Sequence, residues 1–362
     1  MVIRRMPRSS PRSTGVSPVR RGQRVATLLA LTVGAVVLSA TGALADPAVP
    51  THYRSTVTSV EDGEGQPVDL DIEVLGGDAY LVLSAPAGSE VEVPGYDGEP
   101  YIRILADGTV EVNERSPARW LNDARYGAVD VDVPDIADAE APPAWEVAAR
   151  SGTYAWHDHR IHFMSPTLPS QIDPDLDEVQ RVWEWEIPLV VDDETVVVSG
   201  VLDWVPGSGV GVPAGAFLLV LAGAVLVARR GDDLVDALLG GAATLGIVLG
   251  IATNTGLPAG ADTMPATLVL PILAAAAVGF GRLLRRRGDP RAVWLTALAA
   301  VPSLVVSVLL VGALTRPIVP GLLPTGVVRT LVVLIAASAM GALVALAGRI
   351  AAATSLDAPQ NT

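Results

Sequence analysis

Three of the four histidines fall within six positions, in the stretch Tyr154-Ala155-Trp156-His157-Asp158-His159-Arg160-Ile161-His162-Phe163-Met164. Neutral imidazole is the commonest side-chain metal ligand near pH 7. His157 and His159 are two apart, so on an extended strand both project from one face. His162 has the opposite parity and joins them only if the chain turns after Arg160. Met164 adds a thioether, which favours copper(I) over zinc, and a chain with no Cys has no thiolate site of the blue-copper kind. His157, His159, His162 and Met164 are therefore candidate metal ligands, with copper the expected ion. His52 is a further imidazole, and Asp158 is suited to fixing a histidine tautomer. The same residues admit a second reading. Asp158 and Arg160 form an ion pair, the imidazoles bond to loop carbonyls, and Trp156, Ile161 and Phe163 are core residues.

Other chemistry is sparse. No Gly-flanked Ser, no Cys and no phosphate-cradling Gly loop is present, so no catalytic residue is assigned and an enzyme is not the expected reading. Glu184 and Glu186 alternate with Trp183 and Trp185, which reads as the solvent face of a strand rather than an acid/base pair. Asp173-Pro174-Asp175-Leu176-Asp177, with Glu184 further on, imitates the acid spacing of a calcium loop. Glu178 stands where that loop's sharp turn requires Gly.

The histidines lie in an acidic block. Residues 46–206 carry 33 Asp and Glu against eight Arg, whereas residues 1–45 carry seven Arg and no acid. The acid excess keeps this part soluble and excludes nucleic acid as a partner. Short runs of period two at 53–60, 68–75, 80–83, 90–93, 101–105 and 109–112 are separated by Asp-Gly and Gly-Gly turn signals. Asp107-Gly108 predicts one hairpin, and Asp192-Asp193-Glu194 predicts a second between 182–191 and 195–204. Ser116 and Pro117 open a short helix over 118–123. Residues 131–143, rich in Pro, Ala and acid, read as a loop. The expected fold is an all-β, immunoglobulin-like sandwich over residues 46–206.

After Trp204-Val205-Pro206 the chain becomes apolar. Runs at about 210–228, 234–253, 266–281, 293–314 and 330–348 each approach the ~20 residues that cross hydrocarbon. Five transmembrane helices are expected over residues 207–350, ending in a cytoplasmic tail over 351–362. Arg229 and Arg230 join the first two spans; Arg282, Arg285, Arg286, Arg287 and Arg291 join the third and fourth. The loops at the other ends carry none and two, so the Arg-rich side is expected to be cytoplasmic and the acidic domain extracytoplasmic. Asp236 is the one acid inside a span, near the cytoplasmic edge, so the spans read as an anchor rather than a carrier. Gly246 and Gly250 form a small-xxx-small face. Seven Arg before the uncharged run 25–45, which closes Ala43-Leu44-Ala45, predict a signal peptide over residues 1–45.

Gly95-Tyr96-Asp97-Gly98-Glu99-Pro100-Tyr101, Arg115-Ser116-Pro117 and Trp156-His157-Asp158-His159-Arg160, together with the signal sequence and C-terminal spans, resemble a family of actinobacterial envelope membrane proteins. That resemblance implies a location in the cell envelope and supplies no activity. The hairpin from Trp185-Glu186-Ile187 through Val198-Ser199-Gly200 to Asp203-Trp204 is similar to the closing hairpin of copper-resistance CopC proteins, exported sandwiches that partner the multi-span CopD. It departs from them in three ways: no His begins the mature chain, Glu194 stands at the turn where they often have His, and the spans lack membrane ligands. The reading is a membrane protein whose exported β domain binds copper; its alternative is a membrane-anchored interaction or structural module without metal. The bilayer is a partner in both, with an envelope or membrane protein as a possible second.

Overall fold

A computed structural model describes residues 47–123 and 133–356, with side chains to residue 349. The expected signal segment lies outside the described residues, as do 131–132 of the expected loop and the last six residues of the tail. Ten strands form the first half: β1 Tyr53–Asp62, β2 Asp71–Leu75, β3 Tyr80–Ser84, β4 Val91–Pro94, β5 Pro100–Ile104, β6 Val110–Asn113, β7 Trp145–Ala149, β8 Thr153–Trp156, β9 Gln180–Val191 and β10 Glu194–Trp204. They pair antiparallel in two sheets, ordered β1-β10-β9-β4-β5-β6-β7 and β2-β3-β8. Alternation explains the core. Ile72, Leu81, Leu83 and Trp156 of the smaller sheet share one buried cluster with Val93, Ile102, Val112, Ile187, Val198 and Leu202 of the larger.

Both predicted hairpins are present. The turn from β9 to β10 places Asp192 and Asp193 at φ 49° and 68°, the left-handed pair that matches strand twist in a two-residue connection. Gly200 on β10 is required because the Trp185 ring lies where a Cβ would sit. Trp185 Nε1 donates to Ser55 Oγ at 2.8 Å, which ties β9 across β10 to β1. A short helix, α1, covers Pro117–Leu121, and Ser116 precedes it in extended conformation. Strands β7 and β8 were not legible in the sequence, because β7 is mostly exposed and neither alternates clearly.

Five helices follow: α2 Gly211–Ala228, α3 Asp232–Asn254, α4 Ala266–Arg286, α5 Ala292–Leu309 and α6 Thr325–Leu356. All five are long and apolar enough to cross a membrane. The expected run 293–314 is divided, since α5 stops at Leu309 and Val311–Leu314 forms a 3-10 turn. Helix α6 continues to Leu356, past the start expected for the tail. Small residues make the close approaches. A Cβ on Gly246 would strike Pro271 and one on Gly250 would strike Thr267 and Leu268, so the small-xxx-small face of α3 is where α4 packs. Gly341 of α6 packs in the same way on Ala224 of α2.

The β domain and the helices belong to one compact unit. Thr51 and Ile318 exchange backbone hydrogen bonds of 2.9 and 3.3 Å. On the edge of the smaller sheet, Ala155 N donates to Ala259 O at 2.8 Å. Asp262 N donates to Tyr80 Oη at 3.0 Å, and Arg316 Nη1 donates to Pro50 O at 2.7 Å. Both loops at this end of the bundle, between α3 and α4 and between α5 and α6, therefore hold the β domain. Gly260, at φ +88°, lets the first loop lie under Tyr154 and Ala155.

Candidate functional site

Strand β8 stops at Trp156, so the parity expected of His157 and His159 does not apply. The cause is Asp158, whose side chain is fully buried. Its Oδ1 accepts from Arg160 N at 3.0 Å and Arg160 Nε at 2.8 Å; its Oδ2 accepts from Arg160 Nη2 at 2.7 Å and Trp156 Nε1 at 3.0 Å. Ile161 N then donates to Asp158 O, closing the turn. Burial alone would raise the Asp158 pKa. The Arg160 hydrogen bonds and charge, with the Trp156 bond, outweigh it and hold the carboxyl below its ordinary value. Burial likewise opposes the Arg160 charge, and Asp158 more than restores it.

This turn separates the imidazoles. His157 donates from Nδ1 to Ala79 O at 2.6 Å and stacks on Tyr80 at 4.2 Å. His159 stacks on Tyr96 at 5.8 Å, and the buried His162 meets His159 edge-on at 5.2 Å between ring centroids. The chain does turn as a His159–His162 encounter requires, but His157 faces other partners. Met164 is half-buried beyond them. His52 lies elsewhere, stacked on Trp204, with Nδ1 donating to Val205 O at 3.0 Å. Among the described residues no group of three or more His, Cys, Asp or Glu is placed to hold a metal ion.

The segments 95–101 and 115–117 and the 156–160 turn converge here. Tyr96 Oη accepts from His159 N at 2.8 Å and donates to Asn122 Oδ1 at 2.5 Å. Asn122 Nδ2 donates to Tyr101 Oη at 3.3 Å, and the Arg160 guanidinium lies over the Tyr96 ring. Ser116 Oγ donates to Glu99 Oε1 at 2.5 Å rather than capping α1, while Asp97 N donates to Glu99 Oε2. A Cβ on Gly95 would collide with this carboxylate. Burial raises the pKa of Tyr96 and of Tyr101, so both hydroxyls stay protonated. Glu99, Ser116 and Asn122 were not singled out as buried partners by sequence reasoning. Glu99 follows the Asp97-Gly98 turn and Ser116 precedes a short helix, so local sequence carries no signal of their burial.

The other sequence candidates have ordinary roles. Asp173 closes its own loop, with its amide bonded to Gln180 Oε1 and its Oδ1 accepting from Asp175 N. Glu184 is exposed beside Arg181, as a solvent-face residue should be. At the far end of the bundle, Asp236 is held by two bonds from Arg285, of 2.7 and 3.0 Å, and Arg285 also donates to Thr296 at 2.9 Å. Arg282 pairs with Asp233, and Arg349 with Asp232.

These features define an integral membrane protein with a two-sheet β domain docked on five helices of membrane-crossing length. No family model, no curated protein and no solved structure matches the chain.

Proposed function

We propose that the chain presents its acidic β domain at the extracytoplasmic membrane surface as a rigid interaction module, with the sandwich related to the immunoglobulin-like folds. One observation carries the reading: the β domain is bonded to both loops at one end of the helices, while the linking arginines collect at the other. Arginine-rich ends face the cytoplasm. The His157–His162 turn is then a clasp that fixes the surface of the domain. The chain has no Cys, so single thiols report topology cleanly. With Thr195→Cys or Arg287→Cys, a membrane-impermeant maleimide applied to intact cells labels the first and leaves the second until the membrane is opened. The reverse pattern overturns the reading. A photo-crosslinker at Glu186, on the exposed face of β9, gives a discrete protein adduct that chelator leaves unchanged; the absence of any adduct removes the interaction role.

The contact between His159 and His162 favours a second reading, in which these two imidazoles with Met164 take up copper(I). The likeness to copper-resistance proteins belongs with it. In a competition titration of the full chain, His159→Ala then loses copper while His157→Ala retains it. Equal, weak retention by all three proteins ends this reading.

A further inference from the structure

The arginines at the two ends of the bundle are treated differently. At the far end, Arg282, Arg285 and Arg349 pair with Asp233, Asp236 and Asp232. At the β-domain end, Arg316 and Arg329 have no carboxylate partner among the described residues. Arg329 donates from Nε to Ala313 O and from Nη2 to Arg316 O, each at 2.9 Å. These bonds fix the guanidinium plane and leave its charge uncompensated. Arg329 stands at the head of a groove of about 630 Å³ between α2 and α6. The groove wall is apolar, formed by Val212, Ala216, Val220, Val333 and Leu334, with Ser208 also in its lining. Helix α2 is the least covered of the five, and its Val212 is 84% exposed.

From this juxtaposition, we infer that the α2–α6 groove holds one anionic diacyl phospholipid. An acyl chain lies along the apolar wall and the phosphodiester meets Arg329. The occupant follows from charge and position. The groove is open along helices of membrane-crossing length, where hydrocarbon is the surrounding medium, and it ends in an unpaired, oriented cation at the level of the bilayer surface. The domain above it is strongly acidic and repels anions elsewhere on this side. The two loops that hold the β domain and the first two turns of α6 contain no basic residue other than Arg316 and Arg329. A guanidinium held by two carbonyls is preorganised for a phosphate, which lowers the ordering cost of binding.

The full chain is placed in phosphatidylcholine nanodiscs doped with phosphatidylglycerol, extracted in mild detergent, and its retained lipid is counted. Wild type retains phosphatidylglycerol about tenfold over its share in the disc, the ratio expected of one charge-assisted contact. Arg329→Gln loses that preference and Arg329→Lys keeps part of it. Arg282→Gln, at the far end, leaves it unchanged. Because Arg329 also braces two carbonyls, Ala216→Phe supplies an independent arm: it fills the groove without touching the arginine and abolishes retention at unchanged melting temperature. Equal retention of both lipids overturns the inference. So does displacement of the lipid by free glycerol 3-phosphate alone, which would show a soluble-phosphate site. If Ala216→Phe converts a dimer to a monomer while lipid retention persists, the groove is an interface between copies and the inference fails.

Discussion

The β domain and the helix bundle fill their interiors with different mixes of side chains. In the β domain the fully buried side chains are large: Tyr80, Leu81, Leu83, Ile102, Ile104, Ile187, Leu189 and Leu202. In the bundle Ala228, Ala242, Ala243, Ala274, Ala299, Ala300, Ala337, Ala339 and Ala342 are buried beside a few large residues such as Leu239, Leu249 and Ile335, while Leu218, Leu219, Leu226, Leu273 and Phe280 face outward. Water sorts residues by hydrophobicity, so a soluble core collects the largest apolar groups. Hydrocarbon offers no such drive between helices, and small residues take the interface because they let backbones approach. One device is common to both regions: a carboxylate held by two guanidinium bonds from a single arginine, Asp158 with Arg160 and Asp236 with Arg285.

That comparison is open to attack by substitution. Six of the seven Trp lie in the β domain, so their fluorescence reads that region, whereas far-UV circular dichroism of the helices reads the bundle. The largest effect is expected for Asp158→Ala, which strands Arg160 in a mostly buried position and costs about 3–5 kcal/mol. Its melting, followed by Trp fluorescence, falls sharply while the helix signal stays. The Asp158 carboxyl is held below its ordinary pKa when folded, so its contribution is fully present above the unfolded value of about 4 and is lost as pH falls through the folded one. The gap in melting temperature between wild type and Asp158→Asn therefore narrows below about pH 4; a constant gap would contradict the ion-pair account.

Leu81→Ala empties a fully buried site and costs about 2–5 kcal/mol by the same fluorescence readout. The converse exchange tests the bundle. Ala339→Leu forces a large side chain into a helix contact and destabilises by about 1–3 kcal/mol, lowering the melting of the helix signal. Leu219→Ala, at a residue 77% exposed on α2, changes stability by no more than about 0.5 kcal/mol. A large loss at Leu219 would show that α2 is covered by another protein surface and would erase the contrast between the regions.

Much of the architecture was legible because the two solvents leave different periodicities. Period-two runs placed eight of the ten strands to within a few residues, and continuous apolar runs placed all five helices. Strands β7 and β8 escaped because Trp145–Ala149 is mostly exposed and Thr153–Trp156 is too short to alternate. The ligand geometry escaped for a different reason. His157 and His159 share a face only on a continuing strand, and one buried carboxylate bends the chain before that face forms. The Asp158–Arg160 pair is legible in the sequence, but not the Tyr96 and Asn122 contacts beside it or the Glu99–Ser116 bond, since such contacts are long-range. Asp236 was visible as the one acid in a span, and Arg285 only as a marker of orientation; their pairing is tertiary.

The central claim is that the β domain is docked on the helix ends in the extracytoplasmic space. Thr51 and Ile318 form a mutually hydrogen-bonded antiparallel pair, for which Cα atoms lie about 5.5 Å apart, within disulfide reach. Thr51→Cys combined with Ile318→Cys therefore tests docking and location together, since a bond between them forms only if they meet and only in an oxidising compartment. With a maleimide-polymer added to denatured cell extract, the account predicts two mass additions after reduction and none before. Complete labelling without reductant, unchanged when the cells are first treated with a mild oxidant, would contradict it.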